Sequence, residues 1–240
     1  MNFLVIPIIF LAMFIQSLAG FGSALIAMPM LIALLGPDAA RPAFALMGQT
    51  AGILFLLKYR DDWKFVDIRM ALVGTLVGIP IGAWIAGVLS EDAFMLLLGI
   101  IVLAYAIYAL VGFTLPEMHT RWSSVFGAFS GILHSAYNVG GPPLVMYATT
   151  QDWQARRFKG NLQAIFFLMG FFVIATHVIE GRMSDVVFQN YLLMVPTMMV
   201  ALWCGFRVEK YIAQPIFRKV VLGLLVCIGL SLIYGVLQPV

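Results

Sequence analysis

The chain has 240 residues, of which 62% are hydrophobic and only 10% are charged, and its mean hydropathy is +1.01. A soluble domain of this composition would expose more apolar surface than water tolerates, which excludes the soluble classes and indicates an integral membrane protein. The formal net charge of +3 is small, and the basic residues lie in short loops between apolar stretches. We therefore expect the lipid bilayer, and not nucleic acid, as a partner.

Eight hydrophobic elements follow one another along the chain. In order, they cover residues 3–35, 39–57, 70–89, 93–114, 122–151, 160–179, 186–206 and 217–238. Each supplies the roughly 20 apolar residues that a membrane-spanning helix needs. No soluble domain or linker interrupts them, so the sequence predicts a single all-α polytopic membrane domain.

The positions of the basic residues decide how these elements cross the membrane. If all eight spanned it, the basic loops at 58–69 and 152–159 would face opposite sides, and the charge bias would divide nearly evenly. If the first and fifth elements are re-entrant hairpins, twelve of the 14 Lys and Arg residues fall on one side, with Arg41 and Arg182 on the other. The positive-inside rule then predicts six full spans and two hairpins, with both chain termini outside.

Each hairpin must break its helix, and glycine-rich segments mark both breaks. They lie at residues 19–23 (AGFGS) and 137–143 (YNVGGPP). Glycine allows positive φ, and Pro142 can begin a helix but cannot continue one. The two segments align without gaps at an offset of 118 residues, with Ser17 over Ser135.

The alignment divides the chain into two copies of one unit, residues 1–116 and 117–240, each a re-entrant helical hairpin followed by three spans. Because each unit has an odd number of full spans, the copies form two inverted-topology repeats. Broken backbone at bilayer depth must be buried in protein or line a polar cavity, so the two tips should meet near the midplane. The N–H groups at the half-helix starts near Gly22 and Gly141 can bind an anion without a buried cation.

Gln16 to Ser23, the Gly140-Gly141-Pro142-Pro143 break and the internal duplication together give a specific pattern. The chain resembles the sulfite exporter TauE/SafE family of membrane permeases over essentially its whole length. The resemblance implies export of sulfite, or of a small organosulfonate such as sulfoacetate, by alternating access in the inner (plasma) membrane of a bacterial-type cell.

The predicted substrate site consists of residues around the two tips and amides on the spans that follow them. These residues are Gln16, Ser17, Gly20, Phe21, Gly22, Ser23, Gln49, His134, Ser135, Tyr137, Asn138, Gly140, Gly141, Asn161 and Gln163. The serines and amides have an alternative role, which is to pack between helices or to bond backbone groups released by the helix breaks. The alternative role for Asn138 is conformational, because asparagine tolerates the left-handed region. His134 is the only ionisable side chain near a tip, so it is a candidate for proton coupling or substrate contact, with a neutral imidazole bonding a carbonyl as the alternative.

The leading hypothesis is a secondary transporter that exports a small anion. A passive anion channel and an importer of a sulfur-containing anion are the alternatives. We do not expect an enzyme, because no acidic residue within a span could orient His134 toward Ser135 or Ser17. Cys204 and Cys227 have no metal-binding or redox spacing, so we expect no metal and no cofactor.

Overall fold

The computed structural model describes residues 3–112, 115–211 and 214–237, and the side chains of all of these except Glu91 and residues 214–220. The regular structure of these residues is helical. In chain order the helices are α1 (Val5–Ala19), α2 (Ser23–Leu35), α3 (Pro37–Lys58), α4 (Phe65–Val88), α5 (Glu91–Val111), α6 (Trp122–Tyr137), α7 (Gly141–Ala148), α8 (Ala155–Ile179), α9 (Asp185–Val208) and α10 (Gln214–Leu237), and a 3-10 turn at Glu209–Tyr211 follows α9.

Both predicted helix breaks are confirmed. The first lies between α1 and α2, where Gly20 and Gly22 have φ values of 86° and 101°. These left-handed conformations favour glycine, because a side chain would be strained there. The second lies between α6 and α7, where Asn138 has a φ of 57° and two prolines stand at the start of α7.

Five of the described helices, α3, α4, α5, α8 and α9, are long and apolar enough to cross a membrane. They correspond to five of the six predicted spans. The sixth, predicted at 217–238, falls in α10, whose described apolar part is Val221–Leu237. The predicted span ends at 114 and 238 and both chain termini lie outside the described residues.

Two of these helices begin five residues earlier than the sequence predicted. α4 starts at Phe65 and α8 at Ala155, so four of the seven basic residues expected in the loops at 58–69 and 152–159 lie within the first five residues of a helix: Arg69, Arg156, Arg157 and Lys159. The cause is that a charge-free window ends at the first charged residue, whereas a helix continues into the interface, where long basic side chains reach water.

The largest helix pairings stay the same when the two halves of the chain are exchanged. α1 packs against α9 as α6 packs against α4, and α3 packs against α9 as α8 packs against α4. The pairs α3 with α8 and α5 with α10 each join equivalent helices. The two halves are therefore interleaved, and neither forms a separate bundle.

The equivalent helices α3 and α8 run antiparallel. Just beyond the end of α3, the backbone N–H of Lys64 donates to Asn161 Oδ1 near the start of α8, at 2.9 Å. At the opposite end, Arg182 comes just after α8, and its Nε lies 3.7 Å from Asp38 Oδ1 in the first turn of α3. The first turns of α3 and α8 consequently lie at opposite ends of the helix pair.

Glycines bring α4 and α6 into backbone contact. A Cβ added at Gly78 would lie 2.0 Å from the carbonyl oxygen of Ala128, and one at Gly127 would lie 2.2 Å from that of Ala71. The same kind of contact is made by Gly74, Gly82 and Gly131. Small residues at a spacing of four allow membrane helices to approach this closely, and the contact fixes the position of the second hairpin.

Candidate functional site

A cavity of about 70 Å³ lies where the two hairpin tips meet. The tips touch, because a Cβ on Gly141 of the second tip would lie 3.5 Å from the Phe21 ring of the first. One water molecule needs roughly 10–15 Å³ by the same measure. The cavity therefore has room for several water molecules or for one small polyatomic ion.

Most of the predicted site residues line this cavity. They are Gln16, Phe21, Gly22, Ser23, Gln49, His134, Asn138, Gly140, Gly141 and Gln163. The sequence did not single out the aromatic part of the wall, which is formed by Phe44, Phe166 and Phe167. No Lys, Arg, Asp or Glu belongs to the described lining.

The first tip presents an uncapped helix start to the cavity. The N-cap of α2 is Gly22, which has no side chain to cap the first turn. Ser23 Oγ–H donates instead to Gln16 Oε1 across the break. The first-turn residues Ser23, Ala24 and Leu25 all line the cavity, so their N–H groups form the positive end of α2 at the cavity wall.

The second tip offers fewer backbone donors. α7 starts with Gly141, Pro142 and Pro143, and proline has no N–H group. Asn138 Nδ2 donates to the Arg41 carbonyl oxygen at 2.9 Å, so this side chain joins the tip to α3. The sequence treated the two tips as equivalent, but α2 is the richer source of amide donors.

Gln163, Gln49 and His134 line the cavity and differ in whether their side-chain nitrogens have hydrogen-bond partners. Gln163 Nε2 donates to the Gly20 carbonyl oxygen at 2.6 Å, which supports the first break. Gln49 Nε2 and His134 Nδ1 are buried and have no partner. The Gln49 amide oxygen lies against α8, where a Cβ on Gly170 would be 2.2 Å from it. A buried donor without an acceptor is destabilising, so Gln49 is suited to bind a ligand oxygen.

The remaining predicted residues, Ser17, Gly20, Ser135, Tyr137 and Asn161, do not line the cavity. Ser17 Oγ–H donates to the Phe14 carbonyl oxygen at 2.6 Å within α1. The Tyr137 ring packs on the Phe94 ring, with centroids 4.1 Å apart. The backbone of Ser135 accepts a hydrogen bond from Arg41 Nη2 at 3.0 Å. These contacts hold the hairpins in place around the cavity.

Asn161 belongs to a polar network at the start of α8. Its Oδ1 accepts from the Lys64 N–H, and its Nδ2 donates to Asp67 Oδ2, both at 2.9 Å. Arg157 binds the same carboxylate through Nε and Nη2, each at 2.8 Å. The network ties the end of α3 and the start of α4 to α8.

We expect Asn161→Ala to lower the free energy of unfolding by about 1–3 kcal/mol, because it leaves the Lys64 N–H and the Asp67 carboxylate short of a partner. Anion affinity should stay unchanged. Thermal unfolding in detergent, with and without the anion, measures both quantities. Normal stability together with weakened anion binding would contradict the structural role and would indicate that Asn161 contacts the substrate.

The chain belongs to the sulfite exporter TauE/SafE family, whose family pattern matches residues 5–232. The protein is thus a membrane transporter of that family, and the resemblance seen in the sequence is confirmed. The chain is similar to the probable sulfite/organosulfonate exporter TauE of Cupriavidus necator. The two are 25% identical over 229 residues, which cover 91% of this chain and 88% of that protein. No solved structure matches the chain.

Proposed function

We propose that the protein is a secondary transporter that exports a small anion, sulfite or an organosulfonate such as sulfoacetate, across the inner membrane by alternating access. The observation that carries the proposal is the cavity between the two hairpin tips, because the uncapped start of α2 and the unpartnered Gln49 Nε2 place hydrogen-bond donors at its wall, beside one unpartnered acceptor, Asn138 Oδ1. The name of the Cupriavidus necator relative supplies the class of anion and the direction of transport.

The charge of the cavity suits a small anion. The uncapped start of α2 carries roughly half a positive elementary charge, and helix starts of this kind bind anions in many proteins. Gln49 Nε2 adds a side-chain donor. His134 is the ionisable group of the described lining, and we propose it as the group through which protons could couple to transport.

Alternating access is supported by the arrangement of the two halves. Their largest helix pairings are unchanged by exchange, and the equivalent helices α3 and α8 run in opposite directions, as inverted repeats require. We assign the cytoplasmic side to the basic loops. A carrier is favoured over a passive channel because hydrogen bonds from Arg41 and Lys159 join the two halves beyond the cavity.

Gly141→Leu is expected to lower sulfite flux into proteoliposomes at least about tenfold. A side chain at this position points toward Phe21 and Phe166, so leucine would fill the cavity while the backbone keeps its conformation. Gly235→Leu is the matched control, because a Cβ there meets nothing within 4 Å. Equal flux in the two variants would overturn the site, and flux that does not saturate with concentration would favour the channel.

A further inference from the structure

We infer that Arg41 and Lys159 are gate cations, one at each end of the cavity, that contact the anion as it enters and leaves. The inference rests on the proposed function and deepens it. It adds two charged residues to a site whose described lining holds none.

The two cations occupy matching places in the two halves. They are 118 residues apart, the offset that also aligns the two hairpin tips. Arg41 stands four residues before Ala45, and Lys159 stands four residues before Gln163, and both of those later residues line the cavity. Residues four apart share one face of a helix. Each cation therefore lies one helical turn outside the cavity, on the face that leads into it.

Each cation binds the end of a hairpin helix from the opposite half. Arg41 Nη2 donates to the Ser135 carbonyl oxygen in the last turn of α6, at 3.0 Å. Lys159 Nζ donates to the Leu18 carbonyl oxygen in the last turn of α1, at 2.5 Å. Carbonyls of a last turn have no partner within their own helix, so each cation closes one hairpin tip onto the other half.

The burial of these cations makes a purely structural role costly. Arg41 is only 2% exposed, and its Nε has no partner. Lys159 also pairs with Glu209, which in turn binds Lys58 Nζ at 2.7 Å. A carbonyl oxygen carries only a partial negative charge, whereas an anion carries a full one and is attracted more strongly to a buried cation. An anion reaching either cation can therefore displace the carbonyl.

The exchange of partners gives a gating step. When the anion takes the cation from the helix end, the hairpin tip on that side is released, and the path to the cavity opens. When the anion moves to the uncapped start of α2, the cation returns to the carbonyl and the path closes. Because α3 and α8 run antiparallel, the two gates act at opposite ends of the path.

Thiol labelling inside the cavity tests the inference from each side of the membrane. The background is the full chain with Gly48→Cys, where a Cβ meets nothing within 4 Å, and with Cys204→Ser and Cys227→Ser. The measured quantity is the ratio of modification rates by anionic sulfonatoethyl and cationic trimethylammonioethyl methanethiosulfonate. The reagents are added to right-side-out and to inside-out vesicles.

We expect Arg41→Gln to lower this ratio about tenfold or more from the side where α3 begins, and Lys159→Gln to do so from the side where α8 begins. A unit charge within a few ångströms of the path has an effect of this size. Arg41→Lys and Lys159→Arg keep the charge and should keep the ratio. Arg60→Gln is the matched control, because the Arg60 side chain is 76% exposed and lies 3.4 Å from the adjacent Asp61.

Ratios that change equally from both sides, or in neither variant, would overturn the gates. The labelling requires no transport, so the two proposals can fail separately. If the parent protein transports no anion, but each variant lowers the labelling ratio from its own side only, the proposed function is contradicted and the gates are supported. A parent protein that transports sulfite while both variants keep the parent ratio retains the function and contradicts the gates.

Discussion

Gly78→Ala is expected to lower the free energy of unfolding by about 1–3 kcal/mol and to abolish most sulfite flux. The added Cβ would lie 2.0 Å from the Ala128 carbonyl oxygen. Neither partner can rotate away, because both belong to helix backbones, so the helices must separate. Separation moves α6 and the second tip with it, and the cavity loses its shape. Thermal unfolding and proteoliposome flux measure the two effects.

Gly87→Ala is the matched control for this variant. Gly87 lies on the same helix, but a Cβ there meets nothing within 4 Å. Alanine favours helix over glycine by up to about 1 kcal/mol, so this control should be neutral or slightly stabilising. If Gly78→Ala behaves like Gly87→Ala, the backbone contact between α4 and α6 does not determine the stability of the fold.

Gln49→Leu is expected to change stability and binding in opposite directions. Leucine removes a buried Nε2 that has no acceptor within the protein, so the free energy of unfolding without anion should rise. The same change removes a donor to the anion, and a hydrogen bond to a charged group contributes about 1.5–3 kcal/mol. Anion affinity should therefore fall roughly 10- to 100-fold. Thermal unfolding across a sulfite titration gives both values.

Gln151→Leu is the control for this pair of effects. Gln151 Nε2 donates to the Met118 carbonyl oxygen at 2.9 Å and to Thr150 Oγ1 at 3.0 Å, outside the cavity. Its replacement should destabilise the protein and leave anion affinity unaltered. A Gln49→Leu variant that is less stable than the parent and binds anion normally would assign Gln49 to packing.

The helix breaks were predictable because their signals are local. Glycine allows positive φ and proline lacks a backbone N–H wherever they stand, so residues 19–23 and 137–143 could be identified without any knowledge of neighbouring helices. The helical face turned toward the cavity could not be identified in this way. Ser17 and Asn161 are polar and lie near the tips, but Ser17 bonds within its own helix to Phe14, and the partner of Asn161, Asp67, becomes visible only when the helices are placed.

The α4 and α6 contact shows a different limit. Glycines at 74, 78 and 82 follow the spacing typical of close helix packing. Even when it is recognised, the spacing does not name the partner helix. Arg41 shows the same limit for charge, since counting predicts that it lies on the outer side of the membrane but does not predict its burial against Ser135.

The interleaving of the two halves determines which parts can move. α4 of the first half is held by backbone contact to α6 of the second, and α9 of the second half packs on α1 of the first. Closely packed helices shift together, so each helix pair behaves as one rigid body. The rigid bodies that move past each other during a transport cycle therefore contain helices from both halves. If the chain were cut between the halves, neither fragment would contain a complete rigid body.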